Sequence, residues 1–141
     1  MSSLAELYQS VIVEHDRSPR NFRALVAPSH HAEGRNPLCG DEVAVDLRVG
    51  DNGAIEEIGF QGQGCAISRA SASMMTAALQ GKTVAEARDL FDRFHALVTG
   101  GSADDVGKLA VFRGVAEYPM RVKCATLAWH AMIAALDTGA K

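Results

Sequence analysis

The sequence predicts an α+β fold, a small antiparallel three-stranded sheet with helices packed on one face. Three observations predict it. Residues 43–60 alternate apolar and polar side chains around a tight-turn signal, the extended segments come before most of the helical ones, and 141 residues with 48% hydrophobic side chains suffice for one core. The whole of 1–141 reads as a single domain, with no internal repeat and no linker.

The elements follow in chain order. Leu4, Leu7, Tyr8, Val11 and Ile12 recur at spacings of three and four, which makes 3–16 a helix with one apolar face. The string RSPRN at 17–21 ends it. From Phe22 to Pro37 the chain is rich in His, Pro, Gly and Asn without a clear period, so it reads as an extended connection containing a short strand. Val43, Val45, Leu47 and Val49 then alternate with Ala44, Asp46 and Arg48. Asp51-Asn52-Gly53 turns the chain, and Ile55 to Phe60 returns as the second arm of a hairpin.

Gly62 and Gly64 break that strand, and Cys65 to Leu79 reads as a helix stopped by Gly81. Thr83 with Glu86 three residues on has the form of a capping box for a helix running to about Val98. GGSADD at 100–105 is a flexible surface connection. Leu109 to Val115 fits either helix or strand. Pro119 punctuates the chain before a last helix from about Val122 to Leu136, with Leu127, Met132, Ile133 and Leu136 on it. Met74, Met75 and Met132 are expected in the core.

Bulk properties exclude several functions. Net charge is −3 and the basic residues are scattered, which gives neither nucleic acid nor an anionic membrane an electrostatic handle. No segment is long and apolar enough to span a bilayer, and the first residues lack the pattern of a secretory leader. Three cysteines, none in a CxxC pair, argue against a disulfide framework and for reduced thiols in a cytoplasmic protein.

The cysteines carry the chemistry. In Asn36-Pro37-Leu38-Cys39-Gly40-Asp41, an extended backbone would point Cys39 and Asp41 to one side, where they could share a cation. The same six residues fit equally a turn capped by Asp41 with Cys39 in the core. Gly62-Gln63-Gly64-Cys65 places a second cysteine at a helix start, where unpaired N–H groups favour the thiolate. Cys124 follows Arg121 and Lys123, again near an expected helix N-terminus, and those cations either lower its pKa or form an exposed basic rim.

Three thiolates and one carboxylate form a tetrahedral set suited to Zn²⁺, and iron would also accept it. A metal-dependent hydrolase fits poorly, since four candidate ligands leave no open water position and no general base stands out. His15, His30, His31, His95 and His130 lack the HExxH spacing and read as surface or boundary residues.

Taken together, NPLCGD at 36–41, GQGCAISRASASMMT at 62–76 and RVKCATLAWHA at 121–131 resemble the NifU/IscU family of iron–sulfur assembly proteins. Leu7-Tyr8, His15 and Ser18-Pro19-Arg20-Asn21 match that family's opening, although Asp16 stands where an aromatic residue is common. Within the family the chain looks like the SufU branch. Lys123 precedes the last cysteine where IscU scaffolds carry a histidine, and residues 95–116 look like the SufU insertion.

That resemblance implies a zinc-dependent acceptor of persulfide sulfur from a SufS-type cysteine desulfurase, serving a downstream iron–sulfur assembly scaffold. It implies zinc on Cys39, Asp41, Cys65 and Cys124, with Cys39 accepting the sulfur and Arg121 supporting it. Met120 departs from the small residue common at its position. Two other functions are compatible with these residues: a scaffold building a [2Fe–2S] cluster, and a purely structural zinc site in an interaction module.

Overall fold

The alternation at 43–60 becomes the centre of the sheet. A computed structural model describes residues 4–37, 40–101 and 106–138, and in it β2 (Asp41–Val49) pairs antiparallel with β3 (Ile55–Gln63) on one side and with β1 (His30–Asn36) on the other. Opposite pairs Val45 and Phe60, and Leu47 and Ile58, put their side chains on one face, where all four are buried. Among the described residues four α-helices accompany the sheet: α1 (Leu4–Arg17), α2 (Ala66–Leu79), α3 (Val84–Val98) and α4 (Pro119–Thr138). α4 crosses β1 and β2, and α2 lies along β3, so the apolar side of the sheet is covered as the sequence predicts. No helix among the described residues is long and apolar enough to cross a membrane.

Between sheet and helices the largest side chains interlock. Trp129 of α4 stacks on Phe94 of α3 at 4.6 Å, and Phe94 meets Phe112 edge-on at 5.7 Å. The indole N–H donates to Ser71 Oγ at 3.1 Å, and Ser71 in turn donates to the Ala125 carbonyl, which satisfies the polar atoms that Trp129 and α2 bring into the core. Met74, Met75 and Met132 are buried there as expected.

Several boundaries differ from the sequence reading, each for a physical reason. β1 is a seven-residue strand and not a short one: its inward positions are His30, Ala32, Gly34 and Asn36, which give no apolar alternation to read. A Cβ on Gly34 would lie 3.2 Å from Leu127 Cδ1, so a small residue here lets α4 approach the sheet closely. β3 continues through Gly62 to Gln63. At φ +150° Gly62 is pressed against the Glu42 carbonyl, a close approach that a side chain would block. The ambiguous stretch forms a 3₁₀ segment, Gly107–Glu117. α4 begins at Pro119, which is suited to a helix's first turn because no N–H is needed there. The capping box of α3 is present in both directions, Thr83 Oγ1 accepting from the Glu86 N–H and Glu86 Oε1 from the Thr83 N–H.

Two histidines set opposing pH dependences. His15, expected near the surface, is buried against Ser73, its Nδ1 2.7 Å from Ser73 Oγ. Burial first, and the Arg20 charge second, hold it below the ordinary value of 6.5. Below about pH 6.5 the unfolded chain therefore binds the proton more readily, and stability is lost as pH falls through the folded value. His31 runs the other way. Its hydrogen bond to the Asp46 carboxylate raises its pKa, so its contribution is complete below 6.5 and is lost as pH rises through the raised value. Melting temperature is expected to drop on acidification from pH 7 to 5. His15→Gln should shrink that limb, leaving the part due to His130, whose burial lowers its pKa in the same way, and His31→Gln should change only the alkaline one. Calorimetry across pH checks this.

Candidate metal centre

Three elements meet at one end of the sheet. Asp41 is the first residue of β2, paired across to Asn36, and its carboxylate is almost wholly buried at 1% exposure. Cys65 is the N-cap of α2. Its Sγ accepts from the Ser68 N–H at 3.4 Å, taking the role a Ser or Asp oxygen usually fills, so the positive end of α2 faces the sulfur. Cys124 lies in the second turn of α4 and is buried.

The ligand atoms of Asp41, Cys65 and Cys124 all lie within 4.8 Å of one another, the one such grouping of three among the described residues. Asp41 fixes the pair it forms with Cys65 through both oxygens: Oδ1 accepts the Cys65 N–H at 3.0 Å, and Oδ2 is 3.8 Å from Cys65 Sγ. Around a tetrahedral zinc ion, bonds of ~2.3 Å to sulfur and ~2.0–2.2 Å to oxygen separate neighbouring ligands by roughly 3.6–3.8 Å. The donor types, and the 3.8 Å between Asp41 Oδ2 and Cys65 Sγ, therefore fit such an ion.

Gly64 makes the arrangement possible. A Cβ there would sit 2.5 Å from Asp41 Oδ1 and 2.8 Å from Cγ, in the space the carboxylate fills. Sequence reasoning treats Gly64 only as a strand breaker. The signal for its packing role is its position directly before Cys65, visible only once Asp41 is known to lie opposite.

The fourth expected ligand, Cys39, lies outside the described residues. Its neighbours correct one argument made for it. The strand begins at Asp41, Gly40 has φ +74°, and the Gly40 N–H closes a turn on the Asn36 carbonyl at 2.9 Å, so the backbone at Gly40 is not extended. Cys124 also needs correction. Because α4 starts at Pro119, this cysteine is past the free N–H groups of the first turn and gains little from the helix dipole. Arg121 and Lys123 are exposed, and the Arg121 guanidinium sits 4.7 Å over the Tyr118 ring. No histidine joins the cluster.

With the geometry in place, comparison with known proteins decides the family. The description "NifU-like N terminal domain" matches residues 7–125. The chain belongs to this family. The NifU-like domain is 37% identical over 134 residues to the zinc-dependent sulfurtransferase SufU of Bacillus subtilis, covering 93% of this chain and 90% of that one. It is 38% identical over 143 residues to the iron–sulfur cluster assembly scaffold protein IscU of Streptococcus pyogenes, covering 99% and 89%. Its fold matches the crystal structure of FiSufU from Fervidobacterium islandicum AW-1 with a TM-score of 0.87 at 32% identity, over 95% of this chain and 99% of that one. This NifU-like domain thus shares its three-stranded sheet and helices with relatives bearing two functional names at nearly equal identity.

Proposed function

We propose that this protein is a zinc-dependent sulfurtransferase of iron–sulfur cluster biogenesis, accepting persulfide sulfur from a SufS-type cysteine desulfurase in the cytoplasm. The observation that supports the reading is the convergence of the ligand atoms of Asp41, Cys65 and Cys124 within 4.8 Å of one another. Cys39, two positions before Asp41 in the sequence, would complete the set. Zinc bound there would keep the sulfurs deprotonated without oxidising them, since it has no redox chemistry.

The transfer itself is an exchange at sulfur. The Cys39 thiolate attacks the outer sulfur of the donor's cysteine persulfide, a new S–S bond forms on Cys39, and the old one breaks to release the donor's cysteine as a thiolate. Electrons balance without an external oxidant. Asp41, Cys65 and Cys124 lie on or at the start of regular elements, which suits them to hold the metal while Cys39 takes the sulfur. The product persulfide then passes to a downstream iron–sulfur assembly scaffold. Arg121 supports the step by placing positive charge on the helix that bears Cys124.

Lys123 favours transfer over scaffolding, since a protonated ammonium offers no lone pair to iron. The second reading, a scaffold assembling a [2Fe–2S] cluster on the same residues, is supported by the 38% identity to the Streptococcus pyogenes protein of that name. Desulfurase turnover with and without the purified protein, combined with its metal content, separates the two. Zinc near one per chain with strong stimulation supports transfer. Anaerobically isolated protein carrying iron and sulfide, inactive in stimulation but able to pass a cluster on, supports the scaffold.

A further inference from the structure

A second concave site lies at the far end of α2, away from the cysteines. It is a cleft of about 540 Å³ between α1, α2, α3 and the 3₁₀ segment. Met74, Val106 and Leu109 form a buried apolar floor, and Ala78 and Leu90 are half-buried along its walls. Positive charge surrounds the opening: Arg20, Lys82 and Lys108 line it, and His15 lies at its inner edge. Arg20 is paired with Glu14 at 2.7 Å. Among the described residues neither Lys82 nor Lys108 has a carboxylate within salt-bridge distance, although Glu86 and Glu14 feel their charges from further off, so both ammonium groups remain open to an anion in the cleft of a protein whose net charge is −3. At His15 burial and the Arg20 charge lower the basicity, Glu14 opposes them, and Lys108 adds a smaller lowering.

From this charge and shape we propose that the cleft binds a small amphiphilic anion, with a carboxylate or phosphate head between Lys82 and Lys108 and an apolar body over Met74 and Leu109. Its volume is in the range of small-molecule sites, and its few polar groups sit at the rim over an apolar base. A protein partner is disfavoured by the surroundings. The large exposed hydrophobic residues among those described are Phe22, Val26, Tyr118 and Met120, and none of them lines this cleft. At 1.5 Å per helical residue, Met74 and Ala78 lie roughly 13–20 Å along α2 from Cys65, so the site is separate from the metal centre and independent of the sulfur-transfer reading.

Calorimetric titration of the full-length protein with decanoate and with decyl phosphate tests the proposal, with uncharged 1-decanol as the control. Saturable binding of one anion per chain is expected, with at least one head group bound about 10-fold more tightly than decanol. Lys82→Glu and Lys108→Glu should each weaken it by about 10-fold at low salt, where a charge reversal near a desolvated ligand is felt most. Ala77→Trp, a change at an exposed position of α2 that fills the opening, should abolish it. Melting curves matching the parent protein show that each variant folds. Equal affinity for decanol and the anions, indifference to both charge reversals, or binding only to vesicles of anionic phospholipid would overturn it.

Discussion

Cys39→Ala is expected to return desulfurase turnover to the level of the enzyme alone and to leave no sulfane sulfur on this chain, while the fold is unchanged. A persulfide must form on a sulfur that can leave its resting position, and the described candidates are poorly placed to do so. Cys124 is buried in the second turn of α4. Cys65 is exposed but is held by the Ser68 N–H as the cap of α2, so moving it breaks the start of that helix. Cys39 is the remaining cysteine and the acceptor proposed above. Mass spectrometry after one round of turnover with the desulfurase checks the result: added mass of one sulfur on the parent protein, none on the variant. Sulfur found on Cys65 or Cys124 of the parent would reassign the acceptor and leave the metal centre intact.

The second large effect is expected from Gly64→Ala, a change of a single methyl group at a residue that carries no ligand atom. The new Cβ would meet Asp41 Oδ1 at 2.5 Å, and the carboxylate cannot swing away freely because it is buried and fixed by the Cys65 N–H. Displacing it moves one ligand and loosens another through the shared hydrogen bond. Altering a group that orients a metal ligand typically costs about 10–100-fold in affinity, and that loss of zinc affinity is expected here, measured by competition with a chromogenic chelator. The comparison is Gly114→Ala, where a Cβ meets nothing within 4 Å. If both variants hold zinc as tightly as the parent, the carboxylate is not a ligand.

Much of the fold was legible because hydrophobic periodicity is strong where burial is one-sided. The alternation of Val43, Val45 and Leu47 gave the central strand, and the spacing of Leu4, Leu7, Tyr8, Val11 and Ile12 gave α1. β1 was mostly hidden because a strand whose inward positions are Ala32, Gly34 and Asn36 leaves room for a close helix and shows no apolar stripe. The end of β3 was misread for a related reason. Glycine both interrupts strands and permits the closest approach of two backbones, and only the neighbour distinguishes these, here the Glu42 carbonyl. The 3₁₀ segment carries Leu109, Val111, Phe112 and Val115 at spacings that meet a helical and a strand period in part, and so select neither.

At the site, the cysteine and aspartate motifs named the ligand candidates, but their mutual geometry was set by pairing that one dimension does not encode. Asp41 meets Cys65 because the register of β2 against β3 sets Glu42 opposite Gln63, and the chain then turns into α2. Cys124 reaches them because α4 runs back across β1 and β2. His15 was placed near the surface because its sequence neighbours Glu14 and Asp16 are polar, yet the turn of α1 that carries it faces Ser73.

The central claim is that one cation is shared by Asp41, Cys65, Cys124 and Cys39. X-ray absorption at the zinc edge on the purified protein tests it most directly. The expected spectrum has about three sulfurs near 2.3 Å and one oxygen near 2.0 Å around a single zinc per chain, with one sulfur lost in Cys39→Ala and the oxygen replaced in Asp41→Ala. A shell of nitrogen and oxygen alone, or protein that takes up no zinc while correctly folded, would contradict it.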